Sequence, residues 1–138
     1  MSIFASPLFL RRVLWADAAS CLACGVLQLA VPDALPRWLG LPQPLLLSTG
    51  VFLVAYALVL AWVASRPQLR RALVALFAVG NVGWAIGCGA ALALLQPTAL
   101  GVGWIVLQGI TVLVLADLQW MGLRGTRRPP GVAAAWPV

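Results

Sequence analysis

Histidine, lysine and glutamate are absent from this chain of 138 residues. Without His it lacks the side chain most often used as a general base and metal ligand near neutral pH. Its only carboxylates are Asp17, Asp33 and Asp117, and no pair of acids shares one helical face. An intramembrane enzyme would therefore have no acid–base set to work with, so no catalytic residue is expected. Charge of either sign is scarce: 9% of residues are charged, against about 25% in a soluble domain, whose surface must be wetted. That excludes an ordinary globular domain. Disorder is excluded as well, because it needs low hydrophobicity and high charge.

What the chain has instead is apolar surface. Hydrophobic residues make up 63% of it, and the mean hydropathy is +1.02; this is a protein dissolved in lipid. All nine basic residues are Arg, which together with abundant Ala, Leu and Gly points to a GC-rich bacterial genome. A pI near 11.1 would ordinarily raise nucleic-acid binding. Here eight of the nine Arg flank apolar segments, a pattern that membrane topology explains, so the expected partner is membrane lipid and not nucleic acid.

A bilayer core of about 30 Å takes roughly 20 apolar residues per helix. Four stretches qualify, at about 13–31, 45–64, 72–95 and 99–121. Pro32, Pro36, Pro42 and Pro44 bracket the first connection, Ser65-Arg66-Pro67 opens the second, and Gln96-Pro97-Thr98 forms the third. Proline loses an amide donor and clashes with the preceding turn, so these are helix boundaries. The expected fold is all-α: one antiparallel bundle of four transmembrane helices over 1–125, followed by a flexible Pro- and Ala-rich tail over 126–138. Arg11-Arg12 before an apolar run resembles a signal peptide, but Asp17 would interrupt its apolar region and no small-x-small site precedes Pro32. The first span is therefore read as uncleaved.

Orientation follows from counting Arg beside the spans. Arg11, Arg12, Arg66, Arg70, Arg71, Arg124, Arg127 and Arg128 fall on one side, and only Arg37, offset by Asp33, on the other. Both termini should then face the cytoplasm of a bacterial inner membrane. Each half of the chain also reads as a span, a Pro-containing outer connection, a Leu-Gly pair (Leu39-Gly40, Leu100-Gly101) and a second span. This is the pattern of a short parallel repeat.

Polar groups inside lipid are costly and normally face protein or trapped water. On the first span Asp17, Ser20, Cys21, Cys24 and Gln28 fall within about 60° of one another at 3.6 residues per turn. Phe77, Asn81, Trp84 and Cys88 form a stripe on the third span, and Gly101, Trp104, Gln108 and Thr111 one on the fourth. Asn81 and Gln108 both count to mid-membrane, which predicts a hydrogen bond between them, either fixing register or bordering a small polar cavity. Asp17, one turn inside a span that begins at Val13, is expected to snorkel toward Arg70 or Arg71, with proton or cation handling as the functional alternative. Asp117 points away from Gln108 and reads as an interfacial ion-pair partner. Gly80, Gly83 and Gly87 make a small-residue edge for close helix packing, within the chain or between subunits. Trp15, Trp62 and Trp120 should mark one interface and Trp38 the other, with Trp84 in the core.

Cys21 and Cys24 form a C-x-x-C on one helical face, within reach of one soft metal ion, though no His or second Cys pair completes a zinc site. The string Cys21-Leu22-Ala23-Cys24 in a first span resembles the MerC-type mercury-uptake proteins, small four-span bacterial carriers. That resemblance implies soft-metal transport, but it also implies a second cysteine pair near the C-terminus, and nothing after Cys88 is Cys. A broader resemblance covers nearly the whole chain. Asp17-Ala18-Ala19, Gly40-Leu41-Pro42, Asn81-x-x-Trp84, Pro97-Thr98-x-Leu100-Gly101 and Leu118-Gln119-x-x-Gly122-Leu123-Arg124 resemble a family of small four-span proteobacterial inner-membrane proteins with no assigned activity. It implies the four-span fold and carries no catalytic residue over; no cofactor is expected. The expectation is a non-catalytic membrane protein, either an accessory subunit of a larger complex or a small homo-oligomer. The alternative is a small-solute or soft-metal carrier using Cys21 and Cys24.

Overall fold

The computed structural model describes residues 6–125, so the tail at 126–138, with Arg127 and Arg128, lies outside the described residues. Five helices follow in order: α1 (Pro7–Ala30), α2 (Ala34–Leu39), α3 (Gln43–Ser65), α4 (Arg71–Leu94) and α5 (Ala99–Gly125). Four of them are long and apolar enough to cross a membrane. The chain is an all-α multi-pass membrane protein.

α1 begins six residues before the expected Val13. Ser6 caps it, its hydroxyl accepting from the Leu8 N–H at 3.2 Å. Arg11 does not end the apolar segment, because its guanidinium leaves the lipid-facing surface. It donates to the carbonyls of Ala64 (2.6 Å), Arg66 (2.8 Å) and Pro67 (3.2 Å). Those carbonyls close the C-terminus of α3, where the last C=O groups lack helical partners and the helix dipole favours a cation. Arg71 likewise donates to the Leu123 carbonyl near the end of α5. Arg11 and Arg71 thus tie helix ends together at this end of the bundle.

α1 runs antiparallel along α3, and α4 along α5, as two hairpins. Gly25 and Gly50 let the first hairpin close, since a Cβ on Gly25 would lie 2.9 Å from the Gly50 carbonyl oxygen. The hairpins join at Gly122, which meets Leu10, and through a buried cluster of Leu14, Leu60, Val74 and Phe77 near the Arg-rich end. A second cluster of Leu35, Leu39, Leu41, Leu46 and Ile105 closes the opposite end. The outer surface is apolar in turn: Leu58, Leu76, Ile86 and Leu107 are each more than 60% exposed. Trp15, Trp62 and Trp120 are exposed toward the Arg-rich end and Trp38 at the other.

The first connection is not a plain loop, because it contains α2. Pro36 sits in its first turn, where a missing N–H has no helical acceptor to lose. Gly40, at φ 65°, ends it in the left-handed conformation that suits glycine. α2 docks on the start of α5: Thr98 N–H donates to the Leu39 carbonyl (3.0 Å) and the Thr98 hydroxyl to that of Trp38 (2.6 Å). The Thr98 hydroxyl oxygen also accepts from the Gly101 N–H at 3.1 Å, capping α5. The two Leu-Gly pairs therefore meet in different roles, Gly40 ending a helix and Gly101 lying inside one under the Leu39 backbone.

Candidate functional site

The polar residues gather at three places. The deepest holds Asp17, which is 0% exposed. Its Oδ2 accepts from Asn81 Nδ2 at 2.8 Å and from Gln119 Nε2 at 2.7 Å. Its Oδ1 faces the Cys21 thiol at 3.6 Å, and Asn81 and Gln119 approach each other at 3.5 Å. Three helices, α1, α4 and α5, thus meet on one carboxyl group. This corrects two expectations. Asp17 does not snorkel to Arg70 or Arg71, and Asn81 does not bond Gln108. Both corrections are matters of height: with α1 starting at Pro7, Asp17 is ten residues along the helix, about 15 Å at 1.5 Å per residue, whereas Gln108 lies seventeen residues from the Arg-rich end of α5. Asn81, ten residues into α4, reaches the same depth from the same end.

Gln119 is the member of this buried cluster that sequence reasoning missed. It lies eleven residues beyond Gln108, about 20° away on the helical wheel, so it continues the same stripe three turns on. That signal was legible in the spacing; the partner was not.

The second place is a crevice of about 230 Å³ between α1 and α5, lined by Ser20, Cys21, Cys24, Gln108 and Thr111 among apolar neighbours. The structure therefore brings most of the predicted stripe together. Ser20 and Thr111 turn their hydroxyls onto the backbone carbonyls of Asp17 and Leu107. All three cysteines are free thiols, and the Cys21 thiol is directed at Asp17. Among the described residues no three His, Cys, Asp or Glu side chains converge to hold a metal ion.

The third is a lateral groove of about 520 Å³ in the half of the bundle away from the Arg-rich end, bounded by α3, α4 and α5. Gly80, Gly83 and Gly87 line it. Of the expected small-residue edge, Gly80 lies against Tyr56 of α3, but a Cβ on Gly83 or Gly87 would meet nothing within 4 Å, so most of the edge packs on no helix of this chain. The edge instead makes room beside an aromatic ladder. Phe52 of α3 stacks on Trp84 of α4 (centroids 5.7 Å, 6° between planes), and Tyr56 meets Phe77 edge-on at 5.7 Å. Gln28, only 2% exposed, lines the groove beside the Thr49 hydroxyl at 2.8 Å. Gln108 borders it too, its Oε1 accepting the Trp84 indole N–H at 3.2 Å.

Below the groove, the Tyr56 hydroxyl is buried without a hydrogen-bond partner among the described residues, next to a void of about 70 Å³ also bordered by Cys21 and Asn81. An unpaired buried hydroxyl stabilises nothing, so Tyr56→Phe should leave stability unchanged or raise it by up to about 1 kcal/mol. Reversible unfolding of the detergent-solubilised protein would measure this, and a loss beyond 1 kcal/mol would contradict it. Compared with known proteins, the chain matches no family model, no curated protein and no solved structure.

Proposed function

We propose that this chain is a non-catalytic subunit of a bacterial inner-membrane assembly, a small homo-oligomer or part of a larger complex, with its Arg-rich end in the cytoplasm. The observation that carries the reading is Asp117. It is exposed on the outer face of α5, in a shallow groove of about 370 Å³ with Ala78, Val79, Val82, Leu113 and Trp120. It makes no hydrogen bond or ion pair within the described residues. Eight residues separate it from the end of α5, about 12 Å of helix. A carboxylate on a lipid-facing surface is costly unless it meets a cation, and a neighbouring subunit supplies one. A second copy carries exposed Arg12 and Arg70 at the same end, so the charge on offer is complementary. The other buried polar groups support a structural reading: Asp17, Asn81 and Gln119 are engaged with one another and leave no acid–base pair over. The excess of Arg at one end supports the orientation.

One experiment tests the reading. The chain is expressed from its own locus with a C-terminal green fluorescent protein, extracted in gentle detergent and followed by fluorescence through size exclusion. The fusion should fluoresce, because its C-terminus is cytoplasmic, and should elute well above monomer size. Asp117→Asn should shift it to the monomer. Monomeric wild type, or an assembly indifferent to Asp117→Asn, would refute the proposal.

A further inference from the structure

The lateral groove is not explained by assembly through Asp117; it opens nearer the other end of the bundle and on another side of α4. Its size falls within the range of about 300–1,000 Å³ typical of small-molecule sites. Among the described residues no charged side chain lines it, so a charged ligand would be left uncompensated in a low-dielectric setting. The walls are apolar and aromatic, with Phe52, Trp84 and Trp104 among them. Against these walls stand two carboxamides with half their hydrogen-bonding capacity unused. An indole N–H can only donate, so Trp84 fixes Gln108 with its oxygen toward the indole. The Gln108 NH₂ then has no protein partner among the described residues. Gln28 is buried to 2% exposure, and among the described residues its amide hydrogen-bonds only with Thr49, which leaves one half of that amide unpaired as well.

Unpaired amide groups at membrane depth are costly, because lipid tails cannot hydrogen-bond them. Gln108 is nine residues into α5, about 14 Å from the helix end, so an acceptor that pairs with it must travel into the hydrocarbon. A hydrocarbon tail carries no such acceptor, and a phospholipid's ester carbonyls stay with its headgroup.

We propose that the groove binds an uncharged, lipid-dissolved carbonyl compound with an apolar body, its carbonyl oxygen accepting from the Gln108 amide and its body lying along Gly83, Gly87 and the Phe52–Trp84 stack. The glycines serve as the floor of this site: they leave the volume that a larger side chain would fill.

The test uses the full chain in phosphatidylcholine nanodiscs with 4-decylbenzophenone, a ketone that photo-crosslinks to nearby C–H bonds. Labelling should saturate and map to the groove-lining segments of α3, α4 and α5. Gly83→Leu should reduce it at least about tenfold while leaving thermal stability unchanged, since nothing in the bundle lies within 4 Å of a Cβ there. Gln108→Leu should weaken it about fivefold, the equivalent of one hydrogen bond. 4-Decyldiphenylmethane, which keeps the tail and both rings but has a methylene in place of the carbonyl, should compete poorly. Labelling that is unsaturable and spread over the lipid-facing surface would overturn the proposal. So would equal competition by 4-decyldiphenylmethane, which would make the carbonyl irrelevant and the occupant any apolar chain. Loss of native oligomer mass in Gly83→Leu would overturn it too, by making the occupant a second copy. Because Asp117 contributes nothing to this groove, failure here is distinguishable from failure of the assembly reading.

Discussion

Asp17→Ala is expected to destabilise the bundle by about 2–4 kcal/mol, a large share of the 5–15 kcal/mol typical of a folded domain. The carboxyl group is the common acceptor for Asn81 Nδ2 and Gln119 Nε2. Removing it leaves one N–H of Gln119 and one of Asn81 without their acceptor and without water to replace it, Asn81 keeping only its 3.5 Å contact with Gln119 Oε1. Each orphaned donor costs about 1–3 kcal/mol, discounted because polar groups in the unfolded, membrane-bound state also find partners. Asp17→Asn, which keeps an acceptor oxygen, should lose less. Replacing all three residues with leucine should recover part of the loss, because a polar cluster that is removed whole leaves no unpaired group behind. Unfolding by graded addition of SDS, followed by tryptophan fluorescence, measures all of these. A loss under about 0.5 kcal/mol for Asp17→Ala would mean that the cluster does not hold the helices together.

Gly101→Ala should be as damaging, by about 3 kcal/mol, through steric overlap and not lost bonding. A Cβ at Gly101 would run into the carbonyl group of Leu39. The obstacle is backbone, pinned by the bonds from Thr98 to Leu39 and Trp38, so it cannot swing aside as a flexible side chain would. Relief requires α2 to lift off α5, which uncovers Leu35 and Leu39, both buried. Gly103, two residues along the same helix, is the internal control, since a Cβ there meets nothing within 4 Å. Gly103→Ala should be neutral or stabilising by up to about 1 kcal/mol from helix propensity. Equal effects at the two positions in the same unfolding assay would rule out the close approach of α2 and α5.

The contrast between the two glycines indicates how far a sequence can be read in lipid. Apolar length set the four spans and proline set the breaks between them, because hydrocarbon thickness and backbone hydrogen bonding allow few alternatives. Periodicity placed Asp17, Ser20, Cys21, Cys24 and Gln28 on one stripe, and the structure assigns that stripe to three destinations: the α1–α5 crevice, the Asn81–Gln119 cluster and the lateral groove. The stripe was legible because the angle between residues is a property of one helix alone. Depth was not. It depends on where the helix begins, and α1 began at Pro7 because Arg11 found carbonyl partners at the end of α3, a contact between residues more than fifty positions apart.

The same division runs through the rest of the molecule. By composition and spacing alone, the sequence determined a lipid-dissolved four-span helical bundle with its arginines gathered at one end, since these follow from transfer free energies summed along a segment. Only the tertiary structure decided that Asn81 meets Asp17 and not Gln108, that Gly101 is covered while Gly83 lies open, and that two half-used carboxamides face one groove. Those outcomes depend on which helix lies beside which and at what height, and hydrophobic burial, being non-directional, does not set either within a chain whose every span is apolar.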